Sequence, residues 1–296
     1  MARIDKLRMR AVLGDAPKPV VVWQQQFDGF NETLHELARS DWDQIPEVHL
    51  WEYIHDLAYQ RLQPDLFRHV FPACLKFWYD TLMRDEGAEY GDADLHYALL
   101  HGEILSKMLD DAERQRAHDF FTDGFLDRIE IERGFRYERP GRSANAWIFR
   151  LNSIGLVAPI IPEIWPAWWN VDSPGKAVSA VMYATGLVYL GGENPIYQVW
   201  TREKGGGGPY LTEWDCSVFD RAWLEENIAF LRATLTPAYV LERLDTAATV
   251  LAHEPEGEMA RRISHEAADR TTLIEMRIAD LLANLARFDS AKDRWL

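Results

Sequence analysis

The chain has 296 residues, 47% of them apolar and 27% charged, with 32 Lys and Arg against 47 Asp and Glu. This is the balance of a globular protein long enough to bury a sizeable core, and it excludes wholesale disorder, a collagen-like repeat and a coiled-coil rod. A formal net charge of −15 sets the average field against nucleic acid.

Apolar residues recur at helical spacing along most of the chain. Phe27, Phe30, Leu34 and Leu37 form the first stripe, and Leu50, Ile54 and Leu57 the second. Residues 64–82 carry Phe67, Val70, Phe71, Cys74, Leu75 and Trp78, with Pro72 starting a new helical turn or kinking an existing one. Asp94 can cap the next helix, with Leu99, Leu100, Ile104 and Met108 inward, and a further helix spans 111–132. Residues 134–145, rich in Gly, Pro, Arg and Ser, read as a linker. The expected domains are therefore an acidic helical domain, 1–140, and a second helical domain, 141–296.

Beyond the linker the character changes. Residues 151–200 hold only Glu163, Asp172, Lys176 and Glu193 as charged side chains, so this apolar middle segment should be the most buried part. Ser173 can cap a helix that has Pro174 at its first position and Gly191 past its end. Residues 197–201 suit a short strand, and the four glycines at 205–208 a loop or hairpin tip. Residues 219–233 read as a helix, Thr236 caps another beginning at Pro237, and a long final helix or pair spans 258–288. The fold class is mainly α, with two helical units and one short β-hairpin.

One pattern occurs twice. Trp42, in Ser40-Asp41-Trp42-Asp43, is followed by Trp51 and then by Pro64 at the head of an apolar helix. Trp214, in Thr212-Glu213-Trp214-Asp215, is followed at the same distance by Trp223 and then by Pro237. Each copy describes a capped turn with an anchoring indole, one helix, and a Pro-started second helix, which is the pattern of a diverged internal duplication.

The first copy carries a family resemblance. Ser40-Asp41-Trp42-Asp43-Gln44-Ile45-Pro46, Leu62-Gln63-Pro64-Asp65-Leu66-Phe67-Arg68 and Phe71-Pro72-Ala73-Cys74-Leu75, followed by 109–115, resemble a family of small helical bacterial proteins of unknown activity. The resemblance covers about residues 35–133. It implies helices, caps and turns and carries no catalytic residue. Gln63 stands where that family has Thr or Ser, and Phe71 replaces its Leu.

No motif for chemistry stands out. His253, Glu254, Glu256, Glu258, His265 and Glu266 lack the one-turn ligand spacing of a helical metal site, as do His96, His101 and Glu103. The chain has no Gly-x-Ser-x-Gly elbow. Cys74, among aromatics, reads as an inert core thiol, and Asp215 disfavours a thiolate at Cys216. Lys204 precedes the glycines of 205–208, the reverse of a phosphate-binding loop. Arg133, Arg136, Arg139, Arg142 and Arg150 form a basic cluster offset by Glu132 and Glu138. No catalytic residue, metal or cofactor is implied.

Two cysteines make no disulfide framework and no zinc spacing, which suits a reducing cytoplasm. Residues 1–14 lack the apolar core of a signal peptide. The uncharged run 177–190 would span about 21 Å as a helix, short of the roughly 30 Å of a bilayer core, so no membrane span is expected.

What remains is charge and aromatics. Residues 41–94 hold 12 acidic and 4 basic side chains, a net of −8. Such an excess serves solubility, and it also offers an acidic face to a basic partner. The expected function is a non-enzymatic acidic protein-binding module, of the immunity type that neutralises a basic toxin, with Asp85, Glu86, Glu89, Asp92 and Asp94 as the contact. The alternative is a small-molecule or metal-dependent enzyme whose pocket, between the two units, is lined by Trp165, Trp168, Trp169 and His253. Exposed, the three indoles would make a binding hot spot, while their charge-poor surroundings favour a core role.

Overall fold

The computed structural model describes residues 4–26, 29–84, 92–135, 144–190, 193–196 and 222–286, side chains at 92, 93 and 144–149 excepted. Among these residues the chain is helical and has no strand. The expected strand at 197–201 and loop at 205–208 lie outside the described residues. Two compact units divide at Phe125/Leu126, inside a helix, whereas the linker composition had pointed to 140/141.

Unit 1 is built on α4 (Pro64–Arg84), which carries a buried aromatic spine. Around it lie α1 (Lys6–Ala11), α2 (Asn31–Arg39), a 3-10 turn (Trp42–Gln44), α3 (Glu47–Tyr59) and α5 (Asp92–His101). The short α6 (Ile104–Lys107) leads into α7 (Asp111–Glu130). Phe67 stacks on Phe71 at 4.8 Å, and Trp78 sits among Phe120, Phe121 and Phe125. The helix runs on through Pro72, which does not start a new one. Pro64 needs no N–H in its first turn. His96, whose pairing with His101 and Glu103 was weighed for metal, is a core residue: the Trp78 indole N–H donates to its Nε2 at 3.1 Å.

Gln63, the departure from the family pattern, clamps the N-terminal segment. Its amide accepts from the Trp23 N–H at 2.8 Å and donates to the Val21 carbonyl at 2.7 Å. Gln24 answers by accepting from the Gln63 N–H and donating to Asp56. A Thr or Ser could cap the helix but could not span this gap.

α7 opens with a reciprocal cap. The Glu113 N–H donates to Asp110 Oδ1 at 2.8 Å and the Asp110 N–H to Glu113 Oε2 at 3.0 Å. Arg68 adds two bonds to the same carboxylate, at 2.6 and 3.1 Å, and holds the Glu113 carboxyl below its ordinary value. A group depressed on folding contributes stability above its unfolded pKa and loses it as pH falls through the folded one. Glu113→Gln is therefore expected to cost about 1–2 kcal/mol at pH 7. The gap should shrink below pH 4 in urea titrations of both proteins. A gap constant with pH would count against the ionised cap.

Unit 2 is built on α10 (Pro174–Val188), buried on nearly every side. It is flanked by α8 (Ala144–Val157), α9 (Ile161–Trp169), α12 (Pro237–Val250), α13 (Gly257–Ala268) and α14 (Thr271–Leu285). α11 (Glu225–Thr234) packs on α9 and α14. The Ser173 cap is in place, accepting from the Lys176 N–H, and the Thr236 cap from the Tyr239 N–H at 3.1 Å. Of the expected boundaries here, the start of α11 changes. Residues 161–169 are helical, because Pro162 sits in the first turn and the bond that Pro166 cannot donate would have gone to Pro162. α11 starts at Glu225, because the Trp223 N–H and indole N–H are used on Leu285 and Asn152 carbonyls. The final helical stretch is a pair, broken at Asp269 and Arg270.

α3 and α11 each precede a Pro-started helix, α4 and α12. The matched tryptophans differ: Trp51 is exposed in the middle of α3, while Trp223 is buried ahead of α11. Trp214 lies outside the described residues.

Candidate functional site

α3 has two faces. Leu50, Tyr53, Ile54 and Leu57 point into unit 1. Trp51, His55 and Tyr59, one turn apart, form an exposed aromatic ladder. Trp51 meets His55 edge-on at 5.5 Å, and His55 meets Tyr59 at 5.9 Å. α5 supplies the facing wall with Asp94 and Tyr97, again one turn apart, and the Tyr97 ring lies 4.0 Å from that of His101, one turn further on. The hydroxyls of Tyr59 and Tyr97 share a hydrogen bond of 2.8 Å that ties the two walls together. Ile54, Ala58 and Ala98 form the floor.

The close approach of the walls depends on Gly102. A Cβ there would lie 1.9 Å from the Leu57 carbonyl oxygen, in α3's last turn. The notch between the walls has a volume of about 70 Å³, against about 300–1,000 Å³ for pockets that take a small molecule. It has room for the end of one side chain. With Trp51 about half exposed at 46% and a carboxylate in the wall, its chemistry suits a cation lying over aromatic faces.

Of the five acidic residues expected to make the contact, Asp94 lines this notch. Asp85, Glu86 and Glu89 lie outside the described residues, as does the side chain of Asp92. Part of the acidic excess is used internally. Asp41 pairs with Lys18 and Asp43 with Lys6, each at 2.7 Å, and Glu47 pairs with Arg84 at 2.9 Å. In the sequence Trp51 figures only as a marker of the repeated pattern, which hides the aromatic ladder. Its offset from the Leu50, Ile54, Leu57 stripe, repeated at His55 and Tyr59, was the available signal.

The second constellation does not assemble as a pocket wall. Trp165, Trp168 and Trp169 are each at most 1% exposed. Trp165 stacks on Trp169 at 4.7 Å and 11°, Tyr183 stands edge-on to both, and Tyr239 covers Trp169 at 5.8 Å. The Trp168 indole N–H donates to Ser179 Oγ at 2.7 Å. His253 is exposed beyond the far end of α12, about 20 Å along the helix from Tyr239.

Among the described residues no three His, Cys, Asp or Glu side chains stand ready for a metal, and no helix is long and apolar enough to cross a membrane. Of the basic cluster, Arg150 is buried and Arg136, Arg139 and Arg142 lie outside the described residues. Cys74 is fully buried, and burial pushes its thiol far above the ordinary range. In a Cys216→Ser background, Cys74 should resist a thiol reagent in native buffer and react at once in denaturant. Native labelling within minutes would show the core to be open. Comparisons with family models, curated proteins and solved structures return no match for this chain.

Proposed function

We propose that this chain is a non-enzymatic binding module for a basic protein, and that the notch between α3 and α5 receives an arginine or lysine side chain of that partner. The carrying observation is the exposed ladder of Trp51, His55 and Tyr59 facing Asp94 and Tyr97. Three further features support it: the notch is sized for a side chain, the sequence from 41 to 94 is acidic, and the net charge is −15. Aromatic faces and a carboxylate together hold a guanidinium through cation–π attraction and a charge-assisted hydrogen bond. The long-range field would speed encounter and make it salt-sensitive. An immunity-type protein that masks a basic toxin domain in the bacterial cytoplasm is the concrete form of this reading.

The test uses a ten-residue Arg/Gly peptide and its citrulline counterpart, which keeps the shape and removes the charge. The arginine peptide should bind, more weakly as salt rises, and the citrulline peptide should not. Trp51→Ala should weaken binding by about tenfold, the loss of one aromatic anchor. Asp94→Asn should weaken it and flatten the salt dependence. Equal binding of both peptides, or an affinity indifferent to Trp51→Ala, would overturn the proposal.

A further inference from the structure

Unit 1 carries a second concavity, unrelated to the notch. It lies between α1, the segment after it, the 3-10 turn and α4, and its volume is about 430 Å³. That is within the range of small-molecule sites. The walls are charged in an uneven way. Lys6, Arg10 and Lys18 line it, and so do Asp41 and Asp43. Lys6 is held by Asp43 and Lys18 by Asp41. Arg10 is paired with Asp15, which is not in the wall and is 79% exposed. A pair that open to water contributes little and is readily exchanged.

Three cations and two carboxylates line the cleft, so Arg10 takes its counter-charge from outside the wall, from the exposed Asp15. Lys6 and Arg10 are one turn apart on α1 and therefore share a face. The rest of the lining adds no charge. Trp42 and Leu7 supply a flat apolar wall. His69, buried, uses Nε2–H on the Ser40 carbonyl at 3.0 Å. Its burial also pushes the imidazole pKa below the ordinary histidine value, so the ring is neutral at pH 7.

We infer that this cleft binds a small organic monocarboxylate with a planar body, its carboxylate taking the place of Asp15 on Arg10 and its ring lying against Trp42. The single negative charge matches the one lining cation whose partner lies outside the wall. The ring matches the indole, and the size matches the volume. Binding here does not depend on the notch reading.

The experiment is calorimetric titration of the full chain with four probes: benzoate, 2-naphthoate, neutral benzamide and inorganic phosphate. The two aromatic carboxylates should bind, and benzamide and phosphate should bind at least about tenfold more weakly. Arg10→Gln should cost at least about tenfold in carboxylate affinity, with Arg10→Lys recovering part of it. Trp42→Leu should weaken naphthoate more than benzoate. Trp51→Ala should leave all of this unchanged, which separates the cleft from the notch. The absence of heat from both carboxylates up to about 10 mM would overturn the assignment. Equal affinity for phosphate, or for Arg10→Gln and the parent chain, would do the same. Unchanged thermal midpoints of the variants are the folding control.

Discussion

Asn227→Leu should destabilise the protein by about 2–6 kcal/mol, the largest loss expected from one exchange of similar volume. Asn227 is fully buried on α11 and its amide is the joint between α8 and α9. Nδ2 donates to the Gly155 carbonyl at 2.8 Å and to the Ala158 carbonyl at 2.9 Å, while Oδ1 accepts from the Ile161 N–H at 3.2 Å. Helix ends leave such groups without intrahelical partners. Leucine fills the space and leaves the Ala158 carbonyl and the Ile161 N–H without a bond, at about 1–3 kcal/mol for each, while the Gly155 carbonyl keeps the one from the Leu224 N–H. Against a typical stability of about 5–15 kcal/mol, that is enough to compromise unit 2. Asn227→Asp is the sharper comparison. It keeps the acceptor for Ile161 and turns a carboxylate toward two carbonyl oxygens, so it should be at least as damaging. Urea unfolding of the three full-length proteins decides it. A loss under about 1 kcal/mol for the leucine variant would mean that water reaches these groups.

Gly102→Ala should cost about 3 kcal/mol and weaken the arginine peptide together with it. The added methyl would sit 1.9 Å from the Leu57 carbonyl oxygen and 2.8 Å from Ile104 Cδ1. The side chain can turn away, but the carbonyl is backbone of α3's last turn and moves only with the helix. Relief comes from parting α3 and α5, which stretches the bond between the Tyr59 and Tyr97 hydroxyls and widens the notch. Gly14→Ala makes a useful contrast, because a Cβ there meets nothing within 4 Å and the strain lies in a backbone φ of +78° alone. It should cost about 1 kcal/mol and leave peptide affinity unchanged. Full peptide affinity in Gly102→Ala would show that the notch does not depend on this contact.

The helices were legible where local chemistry decides them. Ser173 with Pro174 and Thr236 with Pro237 mark helix starts because the cap and the first-turn proline act within four residues. The three tryptophans at 165–169 were readable as core because the sequence around them is so poor in charge. The site was harder. Trp51, His55 and Tyr59 come from one helix, but the wall that makes them a notch comes from α5, some forty residues on, and nothing local reports that pairing. Gln63 shows in the sequence only as a departure from a Thr or Ser position, because its partners, Val21 and Trp23, lie about forty residues upstream. Asn227 escaped notice for the same reason, since a lone Asn in a helix carries no sign of the two helix ends it closes.

The stack of Trp165 on Trp169 gives the molecule a built-in optical gauge. Two indoles nearly parallel at 4.7 Å, with Tyr239 from α12 laid over one of them, have a fixed mutual orientation only while α9 and α12 are docked. Near-ultraviolet circular dichroism responds to such fixed aromatic packing and is lost when tertiary order goes, even if helix content persists. Subtracting the spectrum of a Trp169→Phe variant isolates the pair from the remaining tryptophans. The difference band would then follow the assembly of unit 2 alone, in real time and without an attached dye.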